Sequence, residues 1–91
     1  ITKQEAAVML ARAARLCGMD TTLSAQQARD TLSQFNDYRT AAAWAQNSLA
    51  FCYREGILDE TDAEIRPLSA ARRCNVAAMV YRMMTAAALV E

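Results

Sequence analysis

Apolar positions along the first eighteen residues follow the three-and-four spacing of one helix face: Ala6, Met9, Leu10, Ala13 and Cys17 align, while Lys3, Gln4, Arg12 and Arg15 fall elsewhere. The run opens on Thr2-Lys3-Gln4-Glu5, a capping-box sequence in which the threonine oxygen accepts a backbone N–H and the glutamate reaches back to the cap. Thr2 is therefore the expected N-cap. Gly18 is the expected stop, because glycine takes the left-handed conformation that closes a helix at little steric cost.

Residues 20–34 are polar, with Ser24 a candidate cap for a short helix carrying Ala28 and Leu32. Residues 41–55 read as an alanine-rich amphipathic helix whose Trp44, Ser48, Phe51 and Cys52 share a side, with Gly56 as its stop. Trp44 is the largest side chain available there and is expected as the main core anchor, its indole N–H needing a partner if buried. Residues 57–71 contain the turn formers Asp59, Asp62, Pro67 and Ser69 and no sustained period, which predicts a loop with a brief extended segment at 64–66. The last helix is expected to begin within 69–72, capped by Ser69, and to run to about Leu89. Its stripe is Val76, Val80, Met83 and Ala87, widened by Ala77, Met84 and Val90. The whole pattern is all-α.

Residues 2–12 read TKQEAAVMLAR, and residues 72–82, seventy positions later, read RRCNVAAMVYR. Such a recurrence points to a repeated supersecondary unit. Met9 and Met79 are equivalent in it, which favours a shared core position over an adaptable methionine groove. The second copy has Arg72 in place of Thr2 and Asn75 in place of Glu5, so its capping box is gone. Between the copies lie Phe35-x-Asp37, then Trp44-Ala45, Gly56-Ile57 and the loop ending Ile65-Arg66-Pro67.

In this order the elements resemble the S-layer homology family. Its unit runs Phe-x-Asp, Trp-Ala, a short helix ending in Gly-Ile, a loop of the form Asp-Gly-Thr-Phe-x-Pro, and Ile-Thr-Arg-Ala-Glu opening a longer helix. The chain shows the order rotated: residues 1–18 match the second helix of one repeat, 19–34 form a divergent connector, and 35–91 match one complete repeat of a partial domain. The resemblance implies two long helices, one or two short ones and connecting loops, as part of a pseudo-threefold spindle. A third long helix is missing from that count, which implies self-association or packing against further repeats. Ala63 stands where the family's loop glycine is usual, and Ile65 where its phenylalanine is.

Ninety-one residues with ten acidic and ten basic side chains leave no net charge, and hence no footprint for a nucleic-acid backbone. No run approaches the roughly 20 apolar residues of a transmembrane helix, and residues 1–16 are too polar on one face for a signal peptide. An export signal, if the parent has one, is expected upstream. There is no histidine, so the commonest general base is missing, and no phosphate loop, nucleophile elbow or metal signature occurs. A non-catalytic chain without metal or cofactor is expected. Asp59, Glu60, Asp62 and Glu64 cluster, but without the glycine and bidentate glutamate of a calcium loop they read as a solvated turn. Cys17, Cys52 and Cys74 are an odd count in apolar helical surroundings, read as small buried hydrophobes, with a disulfide or intermolecular bridge as the alternative.

The resemblance supplies the functional expectation: a non-catalytic anchoring module of a bacterial surface protein, extracellular, binding an anionic, pyruvylated secondary cell-wall polysaccharide. The family's ligand-contacting cation falls by motif position on Arg73 and, in the other copy, on Lys3. Lysine keeps the charge but lacks the planar fork that matches a carboxylate. Trp44 is a candidate sugar platform, and Asp37 a candidate that more naturally pins its loop through backbone N–H groups. For Lys3 and Arg73 the plain alternative is an ordinary charge in a first helical turn. The alternative function is a structural or oligomerisation module of the same fold without sugar binding.

Overall fold

The computed structural model of the protein describes residues 1–58 and 63–88, with Cys74 described by its backbone alone. The chain forms α1 (Lys3–Leu16), α2 (Ala25–Leu32), α3 (Ala43–Arg54) and α4 (Arg73–Ala86), with a 3-10 turn at Tyr38–Thr40 leading into α3. Among the described residues the only β pairing is an isolated antiparallel bridge between Thr2 and Ala70. The fold is all-α.

Local chemistry sets the helix ends. Thr2 caps α1 with the full box: its hydroxyl accepts the Glu5 N–H at 3.3 Å, and the Glu5 carboxylate accepts the Thr2 N–H at 2.9 Å. Ser24 and Gln27 repeat that box at α2. Gly18 (φ 89°) and Gly56 (φ 74°) close α1 and α3 in the left-handed conformation. At each, the next residue's N–H donates back into the helix, Met19 to the Ala14 carbonyl and Ile57 to the Cys52 carbonyl.

The two similar sequence segments both fold as helices with similar starts. α1 and α4 are both 14 residues long, and their N-cap residues share a backbone conformation: Thr2 at φ −87°, ψ 164° and Arg72 at φ −79°, ψ 154°. α4 starts after Arg72, not at Ser69, because the Ser69 amide and hydroxyl both donate to the Arg66 carbonyl and close a turn. The cap at Arg72 has no side-chain hydrogen bond. Ala88 (φ 60°) closes α4 where Gly18 closes α1.

α1 packs against both α3 and α4, and α2 packs against α3. The buried side of α1 is Ala6, Ala7, Leu10, Ala11 and Ala14, with Gln4. Alanines at a helix contact let the two backbones approach closely, so this face turns inward. It is rotated from the expected stripe: Met9 and Cys17 are exposed. Met79, the repeat equivalent of Met9, is buried with Met83, whereas Val80 is on the surface and Val76 only partly covered.

Trp44 is a further correction. It is 62 % exposed; the anchoring aromatics are Phe35, Phe51 and Tyr53, all buried, with the Phe35 and Tyr53 ring centroids 4.5 Å apart. The helix residues that turn inward from α3 are Ala45, Leu49 and the run 50–53, which leaves Trp44 on the far side of the first turn. Leu89, Val90 and the acidic residues Asp59, Glu60 and Asp62 lie outside the described residues.

Candidate functional site: a basic groove beside a pinned strap

Residues 63–71, here called the strap, run from the end of the α3 loop to the start of α4 and cross the N-terminus of α1. The first amides of any helix lack intrahelical acceptors. The strap supplies two: the Lys3 N–H donates to the Ser69 carbonyl at 2.9 Å and the Gln4 N–H to the Pro67 carbonyl at 3.0 Å, while the Ala71 N–H returns a bond to the Ile1 carbonyl at 2.9 Å. Apolar anchoring comes from Ile65 and Pro67, both buried.

Two side chains from elsewhere fix the strap. Asp37 accepts the Ile65 N–H at 2.7 Å and the Arg66 N–H at 2.9 Å. Lys3 donates through Nζ to the Ile65 carbonyl and to the Tyr53 hydroxyl, the latter at 3.3 Å, and lies 5.8 Å from the centre of the Tyr53 ring. A third contact, from the Asn36 N–H to the Ala63 carbonyl at 3.0 Å, ties the start of the strap to the same segment as Asp37. Gln4, the one buried polar side chain among the described residues, accepts the Ala42 N–H at 3.0 Å and so joins the start of α1 to the start of α3.

Between the strap and α4 is a groove of about 340 Å³. Asn75, Ala78, Met79 and Arg82 form its α4 wall, Arg66 and Ser69 its strap wall, and Lys3 and Leu58 also line it. Among the described residues, three basic side chains line the groove and no acidic one does. The described side chains of the lining thus carry positive charge alone.

The expected site residues separate in space. Lys3 lines the groove. Arg73 is exposed in the first turn of α4 but does not line it, and Trp44 stands on α3 without lining it either. Asp37 holds the strap's backbone, as short acidic side chains do, but its partners lie 28 and 29 residues ahead in sequence instead of in its own loop. Arg66 and Arg82 were not singled out from the sequence. Arg82 sits three and seven residues beyond Met79 and Asn75 and so shares their face; nothing in the local pattern signals Arg66.

The two described cysteine side chains differ in exposure. Cys17 is an exposed free thiol and Cys52 a buried one. Cys52 donates to the Ala7 carbonyl at a sulfur–oxygen distance of 3.8 Å, and burial pushes its pKa up to about 12. Among the described residues no cluster of acidic or cysteine side chains is arranged to hold a metal, and no helix is long and apolar enough to cross a membrane. Compared with known proteins, the chain matches no family model, no curated protein and no solved structure.

Proposed function

We propose that the chain is a non-catalytic binding module of the S-layer homology type that attaches a bacterial surface protein to an anionic, pyruvylated secondary cell-wall polysaccharide. The observation that carries this reading is the groove: among the described residues it has three cations and no acidic lining residue, with hydrogen-bonding Ser69 and Asn75 beside apolar Leu58 and Met79. An acidic sugar needs this set, a cation for the carboxylate, polar groups for hydroxyls and an apolar surface for the ring. The recurrence of residues 2–12 at 72–82 supports it as well, with α1 and α4 equal in length and alike in N-cap backbone.

Co-sedimentation with Gram-positive cell walls tests the reading. The purified chain is expected to pellet with intact walls and to stay in solution after chemical removal of the secondary polysaccharide, with binding that weakens as salt rises. Pelleting that is indifferent to removal of the polymer would refute it.

A second reading is a structural or oligomerisation module on the same pseudo-threefold plan. Met9 and Leu16 on α1 and Val80 and Tyr81 on α4 are large apolar side chains at the surface, and packing against further repeats would cover such residues. Sedimentation equilibrium separates the two: this reading requires concentration-dependent mass with or without polysaccharide.

A further inference from the structure

Arg66 departs from expectation in two independent respects. Its backbone is left-handed (φ 53°), a conformation shared among the described non-glycine residues only with Ala88, which closes a helix. Arg66 closes none. A residue with a Cβ is disfavoured there, and glycine would adopt the same backbone with less strain. Strain of this kind persists where surrounding structure over-determines it, and it concentrates at ligand clamps. Here the over-determination is visible: Asp37 holds the Arg66 and Ile65 amides, and Lys3 holds the Ile65 carbonyl.

The second respect is where the side chain lies. Arg66 lines the groove on the strap wall, and Arg82 lines it on the α4 wall. Among the described residues the carboxylate paired with Arg66 is that of Glu64, 3.9 Å from Nε with both side chains largely exposed, a separation and setting in which an ion pair holds weakly. Arg82 forms no ion pair among the described residues. Lys3 differs, because at least two of its three donors are committed to the strap and to Tyr53. The planar forks in the groove therefore belong to Arg66 and Arg82.

We propose that Arg66 and Arg82 form a two-sided clamp for the carboxylate of a single acidic sugar residue, and that Arg66 is kept in its left-handed conformation to present its fork; this rests on the polysaccharide reading above. Arginine suits the task because its fork engages a carboxylate through paired N–H bonds. At about 340 Å³ the groove lies at the small end of ligand sites, a size for one substituted sugar with the polymer continuing outside.

The test titrates the full chain with the methyl glycoside of a pyruvylated hexosamine, followed by NMR of the arginine Nε–H and backbone signals. The same hexosamine without the ketal and inorganic phosphate serve as parallel probes. Saturable shifts are expected at Arg66 and Arg82, with Arg66→Gln and Arg82→Gln each weakening binding by about tenfold or more and Arg12→Gln, on an exposed face of α1 away from the groove lining, leaving it unchanged. Arg66→Gly is expected to lose binding equally while melting at the same or a higher temperature, two readouts that a merely structural arginine would not separate. Undiminished binding by Arg66→Gln or Arg82→Gln, or equal binding of phosphate or the plain hexosamine, would overturn the clamp. If those variants still pellet with walls, the clamp falls and the wall-binding reading stands. Sugar shifts at the clamp without wall binding sink the wall-binding reading alone, and neither signal in the folded chain sinks both.

Discussion

The carboxylate of Asp37 accepts the backbone N–H of Arg66 at 2.9 Å, across 29 residues of sequence, and with its other oxygen accepts the Ile65 N–H at 2.7 Å. These two bonds hold the strap at its strained point. Hydrogen bonds to a charged acceptor contribute about 1.5–3 kcal/mol each, and partial exposure of Asp37 reduces the sum. Asp37→Ala is expected to destabilise the chain by about 2 kcal/mol in urea denaturation. Asp37→Asn, which retains one carbonyl acceptor, should fall between the two. An unchanged midpoint for Asp37→Ala would mean that the strap is held by Lys3 and its buried Ile65 alone.

The similar starts of α1 and α4 provide an internal control for capping. Arg72 has nearly the backbone of Thr2 but no side-chain acceptor for the free amides of α4. Arg72→Thr is expected to raise stability by about 0.5–1 kcal/mol, and Thr2→Ala to lower it by about 1 kcal/mol. The first copy also has a pH signature. The Thr2 backbone N–H foremost, then its hydroxyl, holds the Glu5 carboxyl below its usual 4.5. A carboxyl depressed in the folded chain binds fewer protons there than in the unfolded one, so its contribution is complete above the usual value and is lost as pH falls through the folded value. Stability measured down the acid limb should fall less steeply in Glu5→Gln than in the parent chain. Equal slopes would show that the box does not persist in solution.

Much of the fold was legible because its signals are local. Thr2-x-x-Glu5 and Gly18 bound α1, Ser24 with Ala28 and Leu32 located α2, and Gly56 ended α3, each at or next to the residue that performs the role. The phase of the buried faces was less legible. Period alone treats Met9 as a better core residue than Ala7 or Ala11, whereas close helix contact favours the smaller side chains, and Met9 is outside. The candidate site was legible only at Lys3 and Asp37. The groove depends on the strap folding back over α1, a relation between residues 60 or more apart such as Lys3 and Ile65, and on a left-handed Arg66 that no propensity announces.

The same difference between size and placement decides the aromatic core. Trp44 is 62 % exposed, whereas Phe35 is 2 % exposed and stacks on Tyr53 with centroids 4.5 Å apart. Phe35→Ala removes a buried ring and its partner contact, with an expected cost of about 3–5 kcal/mol. Trp44→Ala should remain within about 0.5 kcal/mol, as for other surface positions. Guanidinium titrations of the two variants check this directly. A large loss at Trp44 in the isolated chain would mean that its ring is covered in solution, by a second copy or another surface of the chain.

Cys17 and Cys52 are both free thiols, but only one of them is available to chemistry. Cys52 is fully enclosed, donates to the Ala7 carbonyl, and has its pKa pushed by burial from an ordinary 9.0 to about 12. The nucleophile is the thiolate, so enclosure and a raised pKa act in the same direction. Iodoacetamide at about pH 8 should modify Cys17 in the native chain and leave Cys52 untouched, as read by peptide mapping. Because the folded chain holds the Cys52 proton more tightly than the unfolded chain, this group's contribution to stability is complete below the ordinary value. It declines as pH rises from 9.0 towards about 12. Native-state labelling of Cys52 should therefore accelerate over that interval, by way of unfolding. Rapid alkylation of Cys52 at neutral pH, at a rate unrelated to global unfolding, would contradict the packing of α3 against α1.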